Sequence, residues 1–276
     1  MSSFYVALLT KILRFQRFGK LLLPHLQRIW QWVQGARPLS LPALICLVEA
    51  SLAAYPFDRG AVISVLCKLQ HPNLPTYLRM MIANRQSISL RLKGKHDRSE
   101  AVIREILDCI AIDLIDLRSH CSYGRLLLSQ TENAILREDF EKAMEHLRTW
   151  EVKGPQPSGL ELKMLRLKNT VVGRVLRYQG EFSGARDSLQ ECLRMVPSYS
   201  SRYHIIHHLA DVYCELGTPW KVEELVLNDV KDLRAHSKQH SKAYRRLVLP
   251  LAEAYIKQER FEAAEEALQE LLDSKF

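Results

Sequence analysis

The stretch RYQGEFSGARDSLQECLRMVP, residues 177–197, spaces a Gly, an aromatic residue, a small Ala and a closing Pro as one helical hairpin requires. The same set returns along the chain. LAEAYIKQERFEAAEEALQELL (251–272) carries Ala252, Tyr255, Phe261 and Ala264 in that order. LADVYCELGTPW carries Leu209, Ala210, Tyr213 and Gly217, and EDFEKAMEHL offers Phe140, Ala143 and Leu147. Two antiparallel helices approach closely where small residues face each other, and aromatics fill the space between turns. Gly suits the turn because it accepts a positive φ. A unit of this size cannot bury its own apolar face, so a recurring unit has to stack on its neighbours.

Following the small residue of the second helix backward gives Ala264, Val222, Ala185, Ala143, Ala101 and Ala61, at intervals of 42, 37, 42, 42 and 40 residues. The connectors EVKGPQPSG (151–159), VPSYSS (196–201) and HPNLP (71–75) are rich in turn formers. Between them apolar residues recur at three and four, with no sustained period-two alternation. Two positions depart from the pattern. Pro250 falls inside the first helix of the last unit, where it is expected to kink or delay that helix. Val222 stands where Ala is usual, after an altered turn at Pro219 and Trp220.

These residues resemble the tetratricopeptide repeat (TPR) family, whose consensus has small residues at positions 8 and 20, Tyr at 11 and Pro at 32. Counted from Arg166, Gly173, Ala185 and Pro197 fall at 8, 20 and 32. The longer unit is similar to the arrays of fungal and bacterial STAND-type signalling ATPases. No GxxxxGK[ST] loop accompanies it here, so no triphosphate cradle is expected. The resemblance implies an all-α, right-handed α-solenoid of TPR-like hairpins over residues 37–276, best defined at about 124–157, 166–199, 203–236 and 245–276. It also implies a binding groove lined by the first helices, at Arg174, Arg177, Tyr178, His204, His207, Asp211, Glu215, Arg246, Glu253 and Lys257. The Lys/Asn/Arg set with which some TPR domains grip chaperone tails is absent. Thr170, Arg174, His208 and Pro250 stand at positions it would need.

The net charge of +8 is unevenly placed. No Asp or Glu precedes Glu49, whereas Lys11, Arg14, Arg17, Lys20, Arg28 and Arg37 do. Residues 1–36 therefore read as a basic, apolar helical segment. It is open to use as a cap on the array, as a surface touching anionic membrane through residues 1–34, or as a mitochondrial-type address. LSLPALICLVEASLAAY (39–55) contains Pro42 and Glu49 and is too short to span a bilayer, so a buried repeat helix is expected there. The basic stretch Lys231–Arg246 lacks any nucleic-acid module. Cys46, Cys67, Cys109, Cys121, Cys192 and Cys214 are scattered without CxxC spacing and read as buried, reduced thiols.

YHIIHHLAD places His204 four residues before His208, and His207 four before Asp211, a spacing that puts each pair on one helix face and can bind a metal. No HExxH is present and the sequence supplies no third ligand, so structural or groove-lining histidines are expected, without metal or cofactor. His236 and His240 repeat the spacing in a polar connector. No nucleophile elbow or spaced carboxylate pair stands out. The expected function is a non-enzymatic, cytoplasmic scaffold or adaptor for a protein or peptide partner. The alternatives are a membrane-peripheral or mitochondrial accessory protein, or a regulatory or accessory component of a fungal signalling or biosynthetic pathway, with an enzyme ranked below them.

Overall fold

A computed structural model describes residues 41–54, 59–110, 116–195, 199–236 and 241–273, apart from a few of their side chains. The N-terminal segment 1–36, Pro197, Lys238 and His240 lie outside the described residues, as does the side chain of Ala61. The described residues form twelve α-helices and no strand. None of these helices is long and apolar enough to cross a membrane.

Two compact units are present. The first, reaching Asp139 and including Arg148–Trp150, holds α1 (Leu41–Ala54), α2 (Arg59–Lys68), α3 (Thr76–Leu92), α4 (His96–Asp108) and α5 (Leu117–Ile135). Within the apolar window, residues 41–54 form a helix, as expected: α1 buries Leu44, Leu47, Val48 and Leu52 against α2 and α3. Around α3, α4 and α5 the core is partly polar. Ser87 and Ser99 share a hydrogen bond of 2.8 Å, Ser99 Oγ donates to Asn133 Oδ1 at 3.2 Å, and Ser129 Oγ donates to Asn84 Oδ1 at 2.7 Å. Each of these hydroxyls and amide oxygens thereby keeps a partner, although Asn133 Nδ2 has none among the described residues. Asp116 starts α5 by accepting from the Ser119 backbone N–H at 2.9 Å.

The second unit comprises Phe140–Leu147 and the chain from Glu151 onward. Its helices are α6 (Phe140–Arg148), α7 (Gly159–Tyr178), α8 (Phe182–Arg194), α9 (Tyr199–Glu215), α10 (Trp220–Ala235), α11 (Lys242–Lys257) and α12 (Phe261–Asp273). Helices α7 and α8, α9 and α10, and α11 and α12 pack as hairpins. Each first helix also packs on the next first helix, α7 on α9 and α9 on α11, while α8 packs on α9 and α10 on α11. One continuous core runs through α8 to α12, built on Leu189, Ile206, Leu209, Val226, Val230, Tyr244, Leu247 and Leu251. Helix α7 opens on a capping box in which Ser158 and Glu161 bond each other's backbone N–H.

The repeat is written into the backbone. Residues with positive φ precede five second helices: Gly94, Glu138, Gly180, Gly217 and Glu259. In the second helices the fully or nearly fully buried small positions are Ser99, Ala143, Ala185, Val222 and Ala264, and the two series share the intervals 44, 42, 37 and 42. The first helices bury Ser87, Thr131, Gly173, Ala210 and Ala252 at the same intervals. Ala101, expected as the anchor of α4, is exposed; Ser99, two residues earlier, takes the place because its hydroxyl pairs with Ser87 at the crossing.

Further expectations are corrected. Pro250 does not delay its helix, since α11 runs unbroken from Lys242 to Lys257 around it. The connector VPSYSS ends sooner than expected, because Tyr199–Ser201 already belong to α9. Cys121, Cys192 and Cys214 are buried free thiols, whereas Cys67 and Cys109 are exposed and Cys46 is half-buried. Those three lie outside the tightly packed small-residue positions, so nothing forces them inward.

Candidate functional site

Helix α9 is divided lengthwise. Ile205, Ile206, Leu209, Ala210, Val212 and Tyr213 enter the core. His204, His207, His208, Asp211 and Glu215 recur at three, four and seven residues and form the opposite stripe. Tyr213 and Tyr255 hold the stack in register from the core side. Tyr213 OH accepts from Gln190 Nε2 of α8 at 2.9 Å, and Tyr255 OH donates to Glu223 Oε1 of α10 at 3.2 Å. Each tyrosine thus ties a first helix to the second helix of the preceding hairpin.

On the α9 stripe, Arg177 of α7 donates from Nη1 to Asp211 Oδ2 at 2.6 Å, and its Nη2 lies 3.9 Å from Glu215. The rings of His204 and His208 are 4.9 Å apart by centroid, and those of His207 and His208 are 5.3 Å apart. His207 Nδ1 and His208 Nε2 are buried and, among the described residues, have no hydrogen-bond partner. One ligating atom each from His207, His208 and Asp211 lies within 4.8 Å of the others. The structure therefore supplies the third ligand that helical spacing alone does not, by turning the adjacent His207 and His208 toward a common point.

Burial pushes the His208 imidazole down to about 2, and the neighbouring His204, Arg174, His207 and Arg177 push the same way, so His208 is neutral at physiological pH. The Asp211 carboxyl is raised chiefly by burial, opposed by Arg177 and His207 and supported by Glu253 and Glu215. The Cys214 thiol, raised to about 11 by burial first and then by Glu253, against Lys257, is inert as a nucleophile.

Of the residues expected to line a groove, the structure brings Arg174, Arg177, His204, His207, Asp211, Glu215, Glu253 and Lys257 into one electrostatic neighbourhood on α7, α9 and α11. Arg246 is exposed on α11, about two turns before Glu253. Tyr178 does not join the cluster; it stacks on Phe140 with centroids 5.8 Å apart. Leu249 and Ile256 flank Glu253 at helical spacing and are 51% and 48% exposed, so α11 adds apolar surface that charge spacing did not single out. The basic stretch Lys231–Arg246 is partly neutralised, because Arg234 donates to Glu270 of α12 and to Tyr244 OH at 3.0 Å. His236 is exposed, its Nδ1 lying 2.7 Å from the Asp232 carbonyl of its own helix.

No protein-family model and no curated protein matches the chain by sequence. Solved structures do match. One is a point-substituted form of the nearly identical TPR-like repeats of a Podosopora anserina protein named for the kinesin light chains. It superposes with a TM-score of 0.57 at 15% identity, covering 73% of this chain and 97% of its own. A second structure of those repeats gives 0.56 at 15% identity, over 72% and 96%. Together with the shared intervals of turns and small residues, these likenesses show that the chain has an all-α fold of TPR-like repeat hairpins.

Proposed function

We propose that the chain is a non-enzymatic scaffold that holds an extended segment of a partner protein along the exposed face of α7, α9 and α11. The observation that carries this reading is the division of labour among side chains. The fold is carried by small and apolar residues on the core side, while the end of α7, the α9 stripe and the exposed face of α11 set charged, imidazole and apolar groups side by side: Arg177, His204, Asp211, Glu253, Leu249 and Ile256. Mixed charge with accessible apolar side chains suits a peptide, which offers both along its length. The fold of the matched structures agrees with such a role.

An array of defined peptides probed with the intact chain tests this. Peptides selected by the parent are expected to bind the Arg246→Glu/Glu253→Lys variant at least ~10-fold more weakly, because both side chains are exposed and their reversal inverts the face without touching the core. Hydrogen exchange with a selected peptide bound is expected to show added protection in α7, α9 and α11. Equal binding by the variant, or protection confined to α8, α10 and α12, overturns the reading.

A further inference from the structure

We infer that His207, His208 and Asp211 form a binding site for a divalent transition-metal ion of the zinc type. The first ground is convergence: two imidazole nitrogens and a carboxylate oxygen lie within 4.8 Å of one another on a single rigid helix. Zinc holds such donors at about 2.0–2.2 Å, which places them ~3.5 Å apart around a tetrahedral ion. Side-chain rotation alone closes the remaining ångström or so, with no change in α9.

The second ground is the state of the two nitrogens. His207 Nδ1 and His208 Nε2 are buried without a hydrogen-bond partner among the described residues. A buried polar atom left so is costly and calls for an explanation. Both imidazoles that converge with Asp211 thus keep a buried nitrogen without a hydrogen-bond partner, and an imidazole nitrogen with a free lone pair is what a metal ion uses.

The third ground is the outer shell. Arg177 donates to Asp211 Oδ2 at 2.6 Å, which fixes the carboxylate as outer-shell partners do. The surrounding charge is mixed, with Arg174 and Arg177 set against Asp211, Glu215 and Glu253. The arginines repel a dication, so the site is weaker than a four-ligand structural zinc site. Two imidazoles select zinc, nickel, cobalt or copper over magnesium and calcium, which require oxygen donors. With three protein donors the fourth tetrahedral position is open, to water or to a side chain of whatever occupies the groove.

The test uses the untagged chain without any partner, so its outcome is independent of the peptide reading. Titration with Zn²⁺ against a chromophoric chelator, and with Co²⁺ followed by its visible absorption, is expected to show one ion per chain and tetrahedral cobalt bands. His207→Gln and His208→Gln each keep a polar side chain of similar reach. Each is expected to weaken zinc by at least the ~10–100-fold that loss of an outer-shell partner brings. His204→Gln, one turn away, is expected to change it little, and excess Ca²⁺ or Mg²⁺ not to compete. Circular dichroism confirms that each variant is folded, and zinc is expected to raise the melting temperature of the parent and not of His208→Gln. Absence of stoichiometric binding, retention of affinity in both glutamine variants, or an equal loss in His204→Gln overturns the assignment.

Discussion

Glu138 and Glu259 sit at φ 60° and 59°, at the turns where the other described repeats carry Gly94, Gly180 and Gly217. A left-handed conformation costs an L-residue roughly 1–2 kcal/mol, and glycine adopts it freely. Glu138→Gly and Glu259→Gly are therefore expected to stabilise the protein by about 1 kcal/mol each, in spite of the added freedom of the unfolded chain. A fall in the urea midpoint of either variant refutes the turn assignment. A second residue-scale expectation concerns Tyr244, wholly buried, with its phenol pushed up to about 12 by burial first and then by its bond to Glu270, against Arg234. The unfolded phenol ionises near 10.0. Between these values the unfolded chain has released the proton and the folded chain retains it. Stability is thus fully present below the lower value and is lost as pH rises through the upper one. Tyr244→Phe is expected to flatten alkaline destabilisation over that window, read from melts at stepped pH. An unchanged slope would mean that the phenol does not ionise on unfolding.

At the scale of the helix, the crossing of α7 and α8 tolerates no added volume. A methyl on Gly173 would stand 2.6 Å from Leu189 Cγ, and Leu189 is fully buried. Gly173→Ala, Ala185→Leu and Ala264→Leu are each expected to cost ~1–3 kcal/mol by overpacking. The register of α4 gives a sharper contrast. Ser99→Leu is expected to cost as much, whereas Ala101→Leu, two residues on and exposed, stays within ~0.5 kcal/mol. The reverse order in thermal melts would restore the Ala101 register. The same pair shows what was legible in the sequence. Ala143, Ala185 and Ala264 announce themselves because they stand beside aromatic partners at recurring intervals. Ser87, Ser99 and Thr131 escape notice because their smallness is hidden behind a hydroxyl, and only the hydrogen bond between Ser87 and Ser99 shows why a polar residue occupies a buried crossing. Extending the intervals with any small residue, rather than Ala and Gly alone, would have found them. In the candidate site, spacing of four located His204, His207, His208 and Asp211. The convergence of adjacent His207 and His208 depends on rotamers, and the claim of Arg177 on Asp211 depends on how α7 lies against α9; neither is a property of sequence separation.

At the scale of the whole molecule, a repeat fold distributes stability unevenly, because each hairpin is held by its neighbours rather than by one central core. Within the second unit α9 is the most enclosed element, packed against α7, α8, α10 and α11. Helix α12 packs on α11 and is tied to α10 through Glu270 and Arg234, yet Phe261 and Leu272 remain 59% and 74% exposed. Opening α12 therefore forfeits one helical contact and one ion pair, while opening α9 separates the hairpins on both sides. Native-state hydrogen exchange is expected to rank the amides accordingly, those of α12 exchanging through a local opening well below the free energy of global unfolding and those of α9 through an opening close to it. Glu270→Ala removes the tie to Arg234 and Tyr244 and should lower the opening energy of α12 while leaving that of α9 nearly unchanged. Equal protection in α9 and α12, moving together in the Glu270→Ala variant, would mean that the second unit unfolds all at once, and the nearest-neighbour account of its stability would fail.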